Sequence, residues 1–224
     1  MKPSAILATK PKSKKLTKVE FGLVLKALKK HYPDAHCALQ FKTPFQLLIA
    51  TILSAQCTDE RVNIVTAKLF LKYPDAKMMN LCSLPDLEQL VHSAGFYKNK
   101  AKNIKATCAL LVEKYDGVVP RSMDELYALP GVGRKTANVV LGNAYGIASG
   151  VVVDTHVMRL VNRFGWLNLD DAVKIETELN QLCPREEWIM LPHYLISHGR
   201  SICKARTPHC ENCFLNNACP KRGL

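Results

Sequence analysis

The chain has 224 residues, with 31 Lys and Arg against 19 Asp and Glu and a formal net charge of +12 at pH 7. A hydrophobic share of 48% with 22% charged residues supplies a packed core and excludes wholesale disorder. Such a charge excess fits a polyanionic partner, either a nucleic acid or an anionic membrane surface.

Lys2, Lys10, Lys12, Lys14, Lys15 and Lys18 precede the first acid, Glu20, and are half of the excess. Beyond them 25 basic side chains face 19 acidic ones, so the body is only mildly basic. Residues 1–18 read as a solvated, disordered tail, with a DNA-tethering arm as the sharper alternative. Ile6 to Thr9 is too short for an export signal. The uncharged run Thr136 to Val153 holds Asn138, Asn143, Ser149 and three glycines, which makes it a buried helix and loop rather than a membrane span. Nine cysteines without an export signal fit a reducing cytoplasm better than a disulfide scaffold.

Helix signals then recur along the chain. Thr17 and Glu20 form a capping box ahead of Phe21, Val24, Leu25 and Leu28. Thr43 and Pro44 start a nearly all-apolar helix through Ala55, and Thr58 opens another that closes near Pro74. Pro85 marks the first turn of a short helix ending at Gly95, and Lys98 to Tyr115 gives a longer one. Ser122 and Glu125 form a second capping box. Helices are predicted after Asp154 and Asp170, with a last one from about Glu187 to Gly199. The fold class is therefore all-α.

Chemistry concentrates in two places. Cys203, Cys210, Cys213 and Cys219, separated by six, two and five residues, have the pattern of a metal site. The candidates are tetrahedral zinc and a cubane iron–sulfur cluster, and the single close pair favours the cluster. His209 beside Cys210 reads as a surface residue, and Lys204 and Arg206 lie in the loop between the first two cysteines, open to a phosphate.

The second place is Leu129-Pro130-Gly131-Val132-Gly133-Arg134-Lys135-Thr136. Glycines on both sides of Val132 permit a tight turn and close approach of an anion to the following helix N-terminus, although a plain helical hairpin would use them too. Its spacing matches neither a P-loop nor a dinucleotide fingerprint. Lys135 stands in the first turn, where the positive helix end disfavours an ammonium; with partial burial it would be a nucleophile, and otherwise a phosphate-binding lysine. Asp154 reads first as an N-cap, a role compatible with a second oxygen facing a cleft. His156 reads as a hydrogen-bonded helix residue.

The hairpin, the Val153-Asp154-Thr155-His156 segment and the cysteine spacing, in this order, resemble the endonuclease III family of helix-hairpin-helix DNA glycosylases and abasic-site lyases over roughly Lys30 to Pro220. The resemblance implies two helical domains: a six-helix bundle bearing the hairpin at 37–147, and a cluster domain built from 19–36 and 148–224. It assigns Lys135 as nucleophile, Asp154 as catalytic carboxylate and the four cysteines as [4Fe-4S] ligands. Gln56 matches the residue that fills the gap left by a flipped base. Phe96 falls where the family commonly carries an aliphatic wedge, so its aromatic ring puts opposite-base preference in doubt. Gly131, Val132, Gly133 and Arg134 would meet DNA phosphate, as would Lys204 and Arg206.

The implied activity is excision of oxidised pyrimidines from duplex DNA through a lysine Schiff base, followed by β-elimination at the abasic site. The alternatives are a mismatch or alkylated-base glycosylase of the same superfamily and a non-catalytic DNA-structure binder. The implied partner is duplex DNA with damaged bases or abasic sites, met by a monomer with no membrane role in the cytoplasm or nucleoid. Lys98, Lys102 and Lys105 add a basic stripe at helical spacing, or a merely solvated face.

Overall fold

The computed structural model describes residues 18–224, and every regular element among them is helical. The basic tail up to Thr17, and with it half of the first capping box, lies outside the described residues; helix α1 spans Lys18–His31.

Side-chain caps set most of the later helix starts, because each satisfies a first-turn amide that has no partner within the helix. Thr43 accepts from the Gln46 amide at 3.2 Å and Pro44 takes the first position of α2, Pro44–Leu53. Thr58 caps α3, Asp59–Lys72. Asp75 caps α4, Ala76–Leu81, a helix too short for apolar periodicity to reveal. Ser83 caps α5, Leu84–Val91, which runs on as a 3-10 turn over His92–Ala94. Helix α6, Tyr97–Tyr115, begins without a side-chain cap.

Ser122 caps α7, Met123–Tyr127, accepting from the Glu125 amide at 3.3 Å. Its hydroxyl also donates to the Glu125 carboxylate at 2.6 Å, so Glu125 closes the box on the hydroxyl. Helix α8, Arg134–Tyr145, starts uncapped at Gly133 and ends at Gly146 in the left-handed conformation. Asp154 caps α9, Thr155–Arg163. Asp171, one residue beyond the Asp170 that the sequence predicts, caps α10, Ala172–Leu182. Helix α11, Met190–Ser201, precedes the cysteine-rich segment, whose one regular element is a 3-10 turn at Cys210–Asn212.

The buried apolar side chains form two clusters. One runs from Leu39 to Leu141 and centres on α2, whose Leu47, Leu48, Ile49 and Leu53 are fully enclosed. Each such side chain contributes about 1.5–3 kcal/mol, which explains why α2 needs no polar face. The other joins Phe21, Leu25 and Leu28 of α1 to residues from Val151 to Leu215, so the two ends of the chain share a core.

The clusters meet at the α8–α9 connection. Glu176 of α10, 6% exposed, takes two guanidinium donors from Arg134 at 2.8 and 3.0 Å and the Asn138 amide at 3.0 Å. Ser149 donates to Asn138 Oδ1 at 2.7 Å, and the Val151 amide donates to Asn180 Oδ1 at 3.0 Å. Gly150 lies under this carboxylate: a β-carbon there would sit 2.1 Å from Glu176 Oε1. Gly150→Ala must therefore displace Glu176, and we expect a loss of about 1–3 kcal/mol, the range for leaving a buried acceptor without its partners. Urea unfolding checks this; a midpoint equal to that of the parent would contradict it.

Candidate active site

The hairpin lies between α7 and α8. Gly131 makes the turn at φ +75°, and a β-carbon there would come 2.8 Å from Asn103 Cβ. Thr107 fixes the turn by donating to the Pro130 carbonyl at 2.8 Å. Val132 is buried in the first core, so its backbone alone remains to meet an anion. A β-carbon on Gly133 would touch nothing within 4 Å, and this residue leaves the first amides of α8 without a side-chain acceptor. Those amides and the positive helix end form a ready anion site.

Lys135 is exposed on the first turn of α8. The partial burial that the sequence allowed is therefore not supplied by the chain itself. Arg134 is held by Glu176, whose carboxylate raises its pKa further. Two of its donors are thus used internally, and it acts as a strut as well as a basic residue.

Asp154 is half-buried, and its Oδ1 accepts from the Val157 amide at 2.8 Å as the cap of α9. Its charge is felt at His156, Arg159 and His193. His156 Nδ1 contacts the Arg159 guanidinium at 3.1 Å, and burial lowers the His156 pKa. Val151, three residues before Asp154, is fixed to Asn180, and Arg134, next to Lys135, is fixed to Glu176 one turn earlier in α10. One helix face thus holds the approaches to both candidate catalytic residues.

Gln56 and Phe96 are exposed, and both have left-handed backbones, at φ +52° and +45°. Left-handed geometry costs a non-glycine residue about 1–3 kcal/mol. Phe96, 66% exposed, is not packed into the core. Of the basic stripe, Lys98 and Lys102 are exposed, but Lys105 donates to the Asn80 and Cys82 carbonyls at the end of α4. Arg200 of α11 pairs with Asp59, three residues past Gln56.

Cys203, Cys210, Cys213 and Cys219 line one pocket whose empty space, its mouth included, is about 330 Å³. No disulfide uses them. Burial raises the pKa of Cys213 and Cys219, and the neighbouring thiols push the same way. Donors already face the sulfurs: the Leu215 amide to Cys213 at 3.4 Å and Arg163 Nη1 to Cys203 at 3.5 Å. His198, fully buried, places Nε2 3.7 Å from Cys213 Sγ and Nδ1 2.8 Å from the Tyr32 hydroxyl. Arg163 also binds the Lys204 and Ala205 carbonyls, which leaves the Lys204 and Arg206 side chains exposed. His209 stays outside the pocket, near Glu211.

The sequence profile of the HhH-GPD superfamily of base excision DNA repair proteins matches residues 49–185. An endonuclease III of Synechocystis is 51% identical over 214 residues, 96% of each chain. The chain belongs to the endonuclease III family. An endonuclease III solved in a non-covalent complex with DNA superposes with a TM-score of 0.88 at 47% identity, over 92% of this chain and 96% of that one. A second endonuclease III, trapped as a covalent intermediate on DNA, matches with the same score and identity over 92% of this chain and 97% of that one. Among the described residues of this family member, no helix is long and apolar enough to cross a membrane.

His193 of α11 gives the site an acid limit. Its Nε2 donates to Asn143 Oδ1 at 2.7 Å, since the Asn143 amide is turned to the Val139 carbonyl. Burial, then the nearby His36, lower its pKa to about 4, against the opposing pull of Asp154. Between about pH 6.5 and 4 the unfolded imidazole holds a proton that the folded one lacks, so this contribution is intact above pH 6.5 and is lost as pH falls. The full shift corresponds to about 3 kcal/mol. Urea midpoints measured from pH 7 to 4.5 should fall more steeply for the parent than for His193→Gln; parallel curves would contradict the assignment.

Proposed function

We propose that this enzyme is a bifunctional DNA glycosylase and abasic-site lyase in which Lys135 is the nucleophile and Asp154 its partner, acting on oxidised pyrimidines in duplex DNA. The observation that carries the reading is the placement of Lys135 on the uncapped first turn of α8 and Asp154 at the cap of α9, both approaches being tied to α10. Domains at 37–147 and at 19–36 with 148–224 belong to the same reading, supported by the two separate apolar clusters.

The sugar carbon is out of reach within the base stack, so the damaged nucleotide must first leave it. Gln56 and Phe96, exposed on left-handed backbones, would enter the duplex. Phosphate at Gly131 to Gly133 sets the strand beside Lys135. The neutral Lys135 Nζ bonds to C1′ as the glycosidic bond breaks, and the base leaves with that electron pair and gains a proton. Asp154 stabilises positive charge developing on the sugar and takes a proton from Nζ. Ring opening yields the Schiff base; loss of a C2′ proton then breaks the bond to the 3′ phosphate, and water releases the lysine.

Cys203, Cys210, Cys213 and Cys219 would hold a [4Fe-4S] cluster. Four neighbouring cysteines, one buried and three half-buried, with N–H donors on the Cys203 and Cys213 sulfurs, suit thiolate ligands of a cationic centre. The cluster would serve structurally, holding the loop that presents Lys204 and Arg206.

Borohydride should trap the parent on duplex carrying an oxidised pyrimidine, and Lys135→Ala should lose trapping by at least about a thousandfold while still binding abasic DNA. Undiminished trapping would overturn the Lys135 assignment. Metal analysis should find four irons per chain, and a single zinc would overturn the cluster.

A further inference from the structure

The basic side chain that the stripe of exposed lysines passes over is Lys100, which is 5% exposed in the first turn of α6. Its Nζ donates to the Leu53 carbonyl at 2.9 Å and to the Ala94 carbonyl at 2.7 Å. Among the described residues it has no carboxylate partner, so backbone carbonyls hold a buried ammonium. Leu53 is the last residue of α2, where a cation is favoured by the helix dipole.

The position of these carbonyls gives the contact its meaning. Leu53 lies three residues before Gln56, and Ala94 lies two residues before Phe96. Among the described residues four non-glycines have a positive φ, and the two in these loops flank the same ammonium. A left-handed backbone at a bulky residue persists where its surroundings over-determine it. Here the surroundings are two chain ends clamped to one Nζ, with Phe96 also held by its own carbonyl accepting from the Lys100 amide at 3.2 Å.

We propose that Lys100 is a positioning residue that sets the separation and aim of Gln56 and Phe96, so that both enter the duplex together and expel the damaged nucleotide. The inference rests on the function proposed above and adds a division of labour to it. Lys100 serves extrusion from paired DNA, whereas Lys135 and Asp154 serve the chemistry that follows. Its loss should therefore weaken the enzyme in proportion to how firmly the target is paired.

The test compares Lys100→Met, which keeps length and loses donors, with Lys100→Gln, which keeps an N–H donor without the charge. Single-turnover excision of an oxidised pyrimidine opposite its pairing base is measured beside borohydride trapping on a single-stranded abasic site. Lys100→Met should lose about tenfold or more on the paired lesion and stay within about twofold of the parent on the single strand. Lys100→Gln should recover part of the loss on the paired lesion. A variant that loses both activities equally, or neither, overturns the proposal, because the first marks a general folding role and the second no role. If Lys100→Met does not fold, the same comparison is made with Lys100→Gln against the parent. A parent that traps neither substrate overturns the proposed function itself, and with it this inference.

Discussion

Glu176 is a buried carboxylate that binds Arg134 through two donors and Asn138 through one, with Gly150 pressed against it. A carboxylate this deeply enclosed is tolerable only when its acceptor positions are filled, and leaving a buried acceptor unpaired typically costs about 1–3 kcal/mol. The requirement therefore fixes several things together. It fixes the start of α8, hence the backbone of Lys135; through Asn138 and Ser149 it fixes the connection to α9. Asn180, on the next turn of α10, holds Val151 on the way to Asp154. Lys135 and Asp154, on different helices, keep their relation because one face of a third helix holds both approaches.

The basic residues divide in a way that net charge does not show. Lys100, Lys105, Arg159 and Arg163 give their donors to backbone carbonyls: at the ends of α2 and α4, around Gly199 and Cys203, and in the cluster loop. Arg134 gives two of its donors to Glu176. These cations act as staples between elements, a role in which their charge offsets the negative ends of helices. The exposed cations open to a polyanion include Lys98, Lys102, Lys135, Lys204 and Arg206, with others such as Lys26, Lys42, Arg61, Lys68 and Lys174 elsewhere on the surface. Part of the basic excess thus holds the fold together rather than facing a ligand.

What the sequence made legible was local. Caps at Thr43, Thr58, Ser122 and Asp154 act within three residues, so helix starts could be read from single positions. The hairpin and the cysteines show themselves by spacing for the same reason. Helix α4 escaped because six residues hold too little periodicity, and the cap at Asp171 was displaced by one because Asp170 offers the same chemistry. Glu176, His198, Arg163 and Lys100 could not be read at all. Their partners lie from about six to more than 160 residues away in sequence, and the types themselves, a helical glutamate or one lysine among many, carry no signal. The Gly131 and Gly133 pair was legible as a turn, but its inner division was not.

That division separates what the fold needs from what a ligand needs. Gly131 is required by the chain itself, through its positive φ and the Asn103 side chain against it. Gly133 has an ordinary extended backbone and open space where a β-carbon would go, so nothing inside the protein demands a glycine there. It also supplies no side chain to satisfy the first amides of α8, although seven other helices receive such a cap. A helix start that is bare, exposed and preceded by a glycine leaves its donors for something from outside, and a phosphate oxygen fits both the charge and the close approach. Two residues on stands Lys135. In the function proposed above, a phosphate bound there would also bring the strand beside Lys135, so that gripping the backbone and aligning the nucleophile would be one act.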